Sequence, residues 1–178
     1  YGKSKLSAEI AIKNLANDTK NSTYIYRLPG VFGKWCKPNY NSVVATFCHN
    51  ISHDLPIQVN DPSFELSLVY IDDVVEEFVE VIQGYRSGGK VPSVQPEYKI
   101  KLGDLANQIK IFKESRDSLI TEKVGSGLVR KLYSTYLSYI SPEQFSYLIP
   151  SYGDERGMFA EMLKTKDSGQ FSFFTAKP

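Results

Sequence analysis

Tyr1 and Lys5 stand four residues apart, a spacing that puts both side chains on one face of a helix. A phenol titrates near ~10, so holding it as tyrosinate at pH 7 costs roughly 4 kcal/mol. A neighbouring ammonium lowers that cost and makes the phenol a better proton donor to a carbonyl that is accepting hydride. A chain with 12 tyrosines is expected to show such a pair by chance, so alone it fits an ordinary helix start equally well. His49 and His53 are also four apart, and histidines at that spacing can clasp zinc. The metalloprotease version puts a glutamate directly after the first histidine. Asn50 stands there instead, so the pair reads as a helix face and no metal site is assigned. Gly125-Ser126-Gly127 lacks both a preceding strand and a third glycine, so it reads as a turn that starts a helix.

These residues need elements to hold them. Leu6, Ile10 and Leu15 recur at helical spacing, which predicts a helix over 4–15, broken by Asn17-Asp18. The β-rich run 23–27 predicts a short strand that Leu28-Pro29-Gly30 stops. Helix followed by strand is the second half of a β-α-β unit and implies a parallel sheet. After an irregular stretch holding Trp35, Cys36 and Pro38, a helix is expected over 40–51, with short strands at 56–59 and 66–71. Asp72 is expected to cap a helix running to about Ile82, with Val74, Val75, Phe78 and Val81 inward and Glu76, Glu77 and Glu80 toward solvent. A strand at 98–100 and helices at 102–112 and 128–140 follow. Tyr133, Tyr136 and Tyr139, three apart on the last helix, read as packing surface, including against another domain. Beyond Ser141-Pro142, runs at 145–150, 158–163 and 170–175 have the rhythm of an all-β domain, which divides the chain into 1–141 and 142–178.

With 178 residues, 42% hydrophobic and 23% charged, the chain can bury a sizeable core. A net charge of +1 gives no reason to invoke nucleic acid or an acidic membrane surface. No apolar run approaches the ~18 residues of a transmembrane helix, and the start lacks a signal-peptide pattern. Cys36 and Cys48 form no Cys-x-x-Cys motif and are expected to be reduced thiols in a cytoplasmic protein. The chain begins at Tyr1, and Pro178 follows a strand-like run, so an internal piece of a longer polypeptide, without turnover by itself, is the expectation.

Tyr1-Gly2-Lys3-Ser4-Lys5 is followed by Tyr26-Arg27-Leu28-Pro29-Gly30-Val31-Phe32-Gly33 and then by Leu68-Val69-Tyr70-Ile71-Asp72-Asp73-Val74-Val75. This ordered trio resembles the second half of an extended short-chain dehydrogenase/reductase, over roughly residues 1–120. The resemblance implies the C-terminal half of a doubly wound, Rossmann-like α/β domain with a nicotinamide cofactor and a nucleotide-sugar substrate. It implies Tyr1 as the catalytic proton donor or acceptor and Lys5 as the residue that holds the nicotinamide ribose and tunes the phenol. Leu28, Pro29, Gly30 and Val31 would pass against the nicotinamide, where a residue lacking Cβ lets backbone approach a flat ring. Asn39, Tyr40 and Asn41 are the candidates for the sugar nucleotide. Many relatives carry an arginine for the diphosphate just before the Asp-Asp helix, and residues 64–68 here hold none.

Tyr152-Gly153-Asp154-Glu155-Arg156-Gly157-Met158-Phe159-Ala160-Glu161, followed by Gln170-Phe171-Ser172-Phe173-Phe174, is similar to the opening strands of cupin domains that epimerise sugar nucleotides. A reductase joined to such a cupin is the arrangement of the CapF-type capsular polysaccharide enzymes. That resemblance implies reduction of a UDP-linked 4-keto-6-deoxy-N-acetylhexosamine by NADPH, with NADH as the alternative, en route to N-acetylfucosamine. It also implies a homodimer and a zinc-binding cupin whose ligands lie past Pro178, since no histidine follows residue 142. Three other readings stay open. One is another extended short-chain dehydrogenase/reductase working on nucleotide sugars as epimerase or dehydratase; another is a scaffold for the cupin's isomerase. The third is a catalytically silent NAD(P)-binding module.

Overall fold

The computed structural model describes residues 1–85, 92–166 and 168–177. Helix α1 (Gly2–Thr19) starts from Tyr1, whose carbonyl accepts from the Ser4 hydroxyl at 2.8 Å and the Lys5 amide at 3.2 Å. It runs past Asn17-Asp18 and ends at Lys20, which takes a left-handed conformation (φ 57°).

Strand β1 (Gly30–Phe32) pairs in parallel with β2 (Glu65–Tyr70), and α2 (Val43–Ser52) makes the crossover between them. The Ser42 hydroxyl caps α2 by accepting from the Ala45 amide at 3.2 Å, which leaves Tyr40 and Asn41 in the preceding turn. The parallel expectation ends at β3 (Tyr98–Lys101), which joins the other edge of β2 antiparallel. Tyr98 and Ile100 are half-buried there while Lys99 and Lys101 face out, the alternation of an edge strand with one wet face.

The run 23–27 is not a strand. In the register Gly30 with Leu68, these residues would lie opposite 61–65. Residues 61–64 instead form a turn, in which Asp61 accepts from the Ser63 and Phe64 amides, so among the described residues the β2 side offers this run no ladder. The expected strand at 56–59 is also absent. The Leu55 amide donates to the Asn50 carbonyl and the Asn50 side chain donates to the Pro56 carbonyl, and Ile57 and Val59 pack on the core without a ladder.

Helix α3 (Ile71–Ile82) departs from expectation in two ways. Tyr70, not Asp72, holds the cap position, and Asp72 and Asp73 occupy the first turn, where carboxylates suit the helix dipole. They turn sideways to lysines, Asp72 to Lys34 at 3.4 Å and Asp73 to Lys131 at 2.5 Å. The buried face holds Val74 and Glu77, while Val75 and Phe78 are exposed. The apolar residues form one stripe centred near Ile71, Val75, Phe78 and Ile82, and Val74 and Glu77 lie toward its edge. On that edge the Tyr26 phenol donates to Glu77 Oε1 at 2.7 Å.

The pleat of β1 and β2 divides the interior. Phe32, Leu68 and Tyr70 point to the larger core, shared with Val44, Phe47 and Cys48 of α2 and with α4 (Leu102–Ser118) and α5 (Gly127–Leu137). Val31 and Val69 point the other way and meet Val74, Val94, Tyr26 and Leu28. The tyrosine stripe packs inside this unit: Tyr133 and Tyr136 lie 5.1 and 6.0 Å from the Phe112 ring, and the Tyr139 phenol donates to the Cys36 carbonyl.

Past α5, a short α6 (Pro142–Phe145) takes residues expected to begin a strand, and Arg116 occupies the Gln144 and Phe145 carbonyls. The first strand there is β4 (Ser151–Asp154), which with β5 (Gly157–Thr165) and β6 (Gly169–Ala176) forms an antiparallel sheet in sequence order. It meets the α4–α5 connection at Lys164, whose amide and carbonyl bond Leu119 and Thr121, each at 2.8 Å.

Candidate functional site

Tyr1 is 97% exposed at the head of α1, and the Lys5 ammonium sits 5.3 Å from the centre of its ring. The helix thus brings the two predicted catalytic side chains together with nothing above them among the described residues. Glu9 continues the same stripe. Its carboxylate accepts two bonds from Arg27, from Nε at 3.1 Å and Nη2 at 2.9 Å, and these bonds hold the Glu9 carboxyl below the usual carboxylate range. Arg27 directly precedes Leu28. On its other side Tyr26 bonds Glu77 and packs its ring 5.1 Å from Phe78. The chain entering residues 28–31 is therefore strung between α1 and α3 by side chains, in place of a sheet ladder.

Leu28 and Pro29 are half-buried, Gly30 is exposed, and Val31 leans on Val69. A Cβ on Gly30 would meet Leu68 Cδ2 at 3.0 Å and the Ser67 carbonyl at 3.2 Å, so this glycine serves the approach of β1 to β2. Gly33 is tighter still, since a Cβ there would come within 2.2 Å of Ile71 Cγ2.

Asn39, Tyr40 and Asn41 line an open cleft of about 620 Å³, together with Ser42, Thr46, Asn50 and Gln58. Asn39 is held in a left-handed conformation (φ 54°), its amide donating to Thr46 Oγ1 at 3.0 Å and its side chain reaching Asn50 Oδ1 at 3.5 Å. Lys37 lies 5.6 Å from the Tyr40 ring centre, giving the rim a cation beside an exposed aromatic. Sequence reading missed Thr46, Asn50 and Gln58, which offer polar groups without a motif. It also missed the role of Glu9, although its four-residue step beyond Lys5 was visible.

His49 and His53 stack at 4.3 Å and bond locally, His49 to Asn50 Oδ1 at 3.1 Å and His53 to the His49 carbonyl at 2.8 Å. Among the described residues, no group of three or more His, Cys, Asp or Glu side chains could hold a metal ion, and no helix is long and apolar enough to cross a membrane.

Residues 1–95, which span the α1 stripe, residues 28–31 and the cleft, match the NAD dependent epimerase/dehydratase family. The chain belongs to that family. Membership ties the fold to a nicotinamide cofactor. Over all 178 residues the chain is 57% identical to the UDP-2-acetamido-2,6-beta-L-arabino-hexul-4-ose reductase of Pseudomonas aeruginosa, of which it spans 48%. It is 45% identical to the capsular polysaccharide assembling protein CapF from Staphylococcus aureus, with a TM-score of 0.94, all of this chain covered and 48% of that one. A structure of CapF with the inhibitor 3-isopropenyl-tropolone agrees at 44% identity and a TM-score of 0.89, over 96% of this chain and 49% of that one. The family member described here thus spans about half the length of the relatives it matches.

Proposed function

We propose that this chain carries the proton-transfer half of a sugar-nucleotide reductase that uses NADPH on a UDP-linked 4-keto-6-deoxy-N-acetylhexosamine, in capsular polysaccharide precursor synthesis toward N-acetylfucosamine. The observation that carries this reading is the Tyr1–Lys5 pair, exposed together at the head of α1 in a chain 57% identical to a named keto-sugar reductase. The Tyr1 phenol gives its proton to the ketone oxygen while the carbonyl carbon accepts hydride, so the ketone becomes an alcohol. Lys5 favours the tyrosinate left behind through its positive charge and holds ribose hydroxyls with its remaining donors.

The donor set suits a dinucleotide. A phenol and an ammonium, both exposed, can meet sugar hydroxyls, and the exposed backbone at Gly30, beside Leu28, Pro29 and Val31, offers a surface for a flat ring. Bound NADPH would supply the hydride. Asn39, Tyr40 and Asn41, with the polar wall of their cleft, hold the sugar nucleotide. Residues 1–141 are the reductase portion and 142–178 the linker and first cupin strands of a longer chain. That chain acts in the cytoplasm as a homodimer, with zinc bound past Pro178.

The test is steady-state kinetics of the full-length protein. NADPH oxidation should require the keto-sugar nucleotide and should be absent with the corresponding 4-hydroxy sugar nucleotide. No oxidation of either NADPH or NADH with the keto-sugar would overturn the reading.

A further inference from the structure

We infer that Glu9 and Arg27 are a positioning pair for this reaction, fixing the helix that carries Tyr1 and Lys5 against residues 28–31; the inference rests on the reductase reading above. Tyr1, Lys5 and Glu9 follow one another at four-residue steps, about 6 Å of helix axis each. The carboxylate is therefore two turns along the face that presents the phenol and the ammonium. Arg27 grips both of its oxygens, at 2.9 and 3.1 Å. A two-point contact of this kind sets orientation as well as distance, which a lysine cannot do.

The pair joins two separate elements, helix α1 and the segment that enters residues 28–31. Next to Arg27 on that segment, Tyr26 is tied to Glu77 of α3. An exposed ion pair adds little to stability. Its effect here falls on alignment, because proton donor and cofactor segment lie on separate elements and reaction rates drop steeply when reacting groups are misplaced by as little as about 1 Å.

The test is a double-mutant cycle in the full-length protein, using Glu9→Gln, Arg27→Met and the double variant, with Tyr1→Phe as control. Either single change should lower kcat about tenfold or more, with the KM for the keto-sugar nucleotide moving less than about threefold. The double variant should lose no more than the worse single, because the pair acts as a unit. Arg27→Lys should recover part of kcat and carries the test if Glu9→Gln fails to fold. A kcat within about twofold of wild type in both singles, with Tyr1→Phe inactive, would overturn the positioning role and leave the reductase reading standing. Loss of kcat in step with thermal stability and KM would reduce the pair to a structural brace. An active Tyr1→Phe enzyme would sink both claims.

Discussion

Tyr136 shows how burial sets the chemistry of a single side chain. It is 2% exposed beneath α2 and α4, and desolvation pushes its phenol up to about 12. An unfolded tyrosine titrates near ~10. As pH rises past that value the unfolded chain loses its proton first, so the contribution of Tyr136 is complete below about 10 and fades as pH approaches about 12. Tyr136→Phe should therefore flatten the fall in unfolding free energy across that window, by about 1 kcal/mol or more, read from denaturant unfolding at each pH. An unchanged slope would mean the phenol is better solvated than its burial indicates. At this scale the sequence revealed Tyr1 and Lys5 because their spacing is local. Glu9 and Glu77 escaped it because their partners, Arg27 and Tyr26, lie 18 and 51 residues away.

Elements were legible where their pattern is self-contained. Helices α2, α4 and α5 follow their apolar spacing, and β2 and β3 their β-rich runs. Among the described residues the runs 23–27, 56–59 and 145–150 have no ladder partner, and side-chain bonds hold parts of each instead. Arg116 is an instance, and it defines a seam. It donates to the Gln144 and Phe145 carbonyls and lies 4.4 Å from the Tyr147 ring centre, fastening residues 144–147 to the end of α4. Arg116→Ala should speed limited proteolysis between residues 142 and 150 and leave cleavage elsewhere unchanged. Equal digestion of both proteins would show that the second seam, at Lys164, holds this region unaided.

Taken whole, the described molecule is a helix-backed α/β unit, with β1 and β2 parallel and β3 antiparallel, followed by a three-stranded antiparallel sheet. Composition and the motif order conveyed the α/β class. They could not convey the antiparallel edge, because chain direction in a sheet follows from how connections cross it and leaves no local mark. The account rests on one phenol delivering a proton to a ketone. Single-turnover hydride transfer by full-length Tyr1→Phe, measured beside its nicotinamide affinity, tests this most directly. The prediction is transfer slowed by about a thousandfold or more with affinity nearly unchanged. Transfer at the wild-type rate, or affinity lost in proportion, would contradict it.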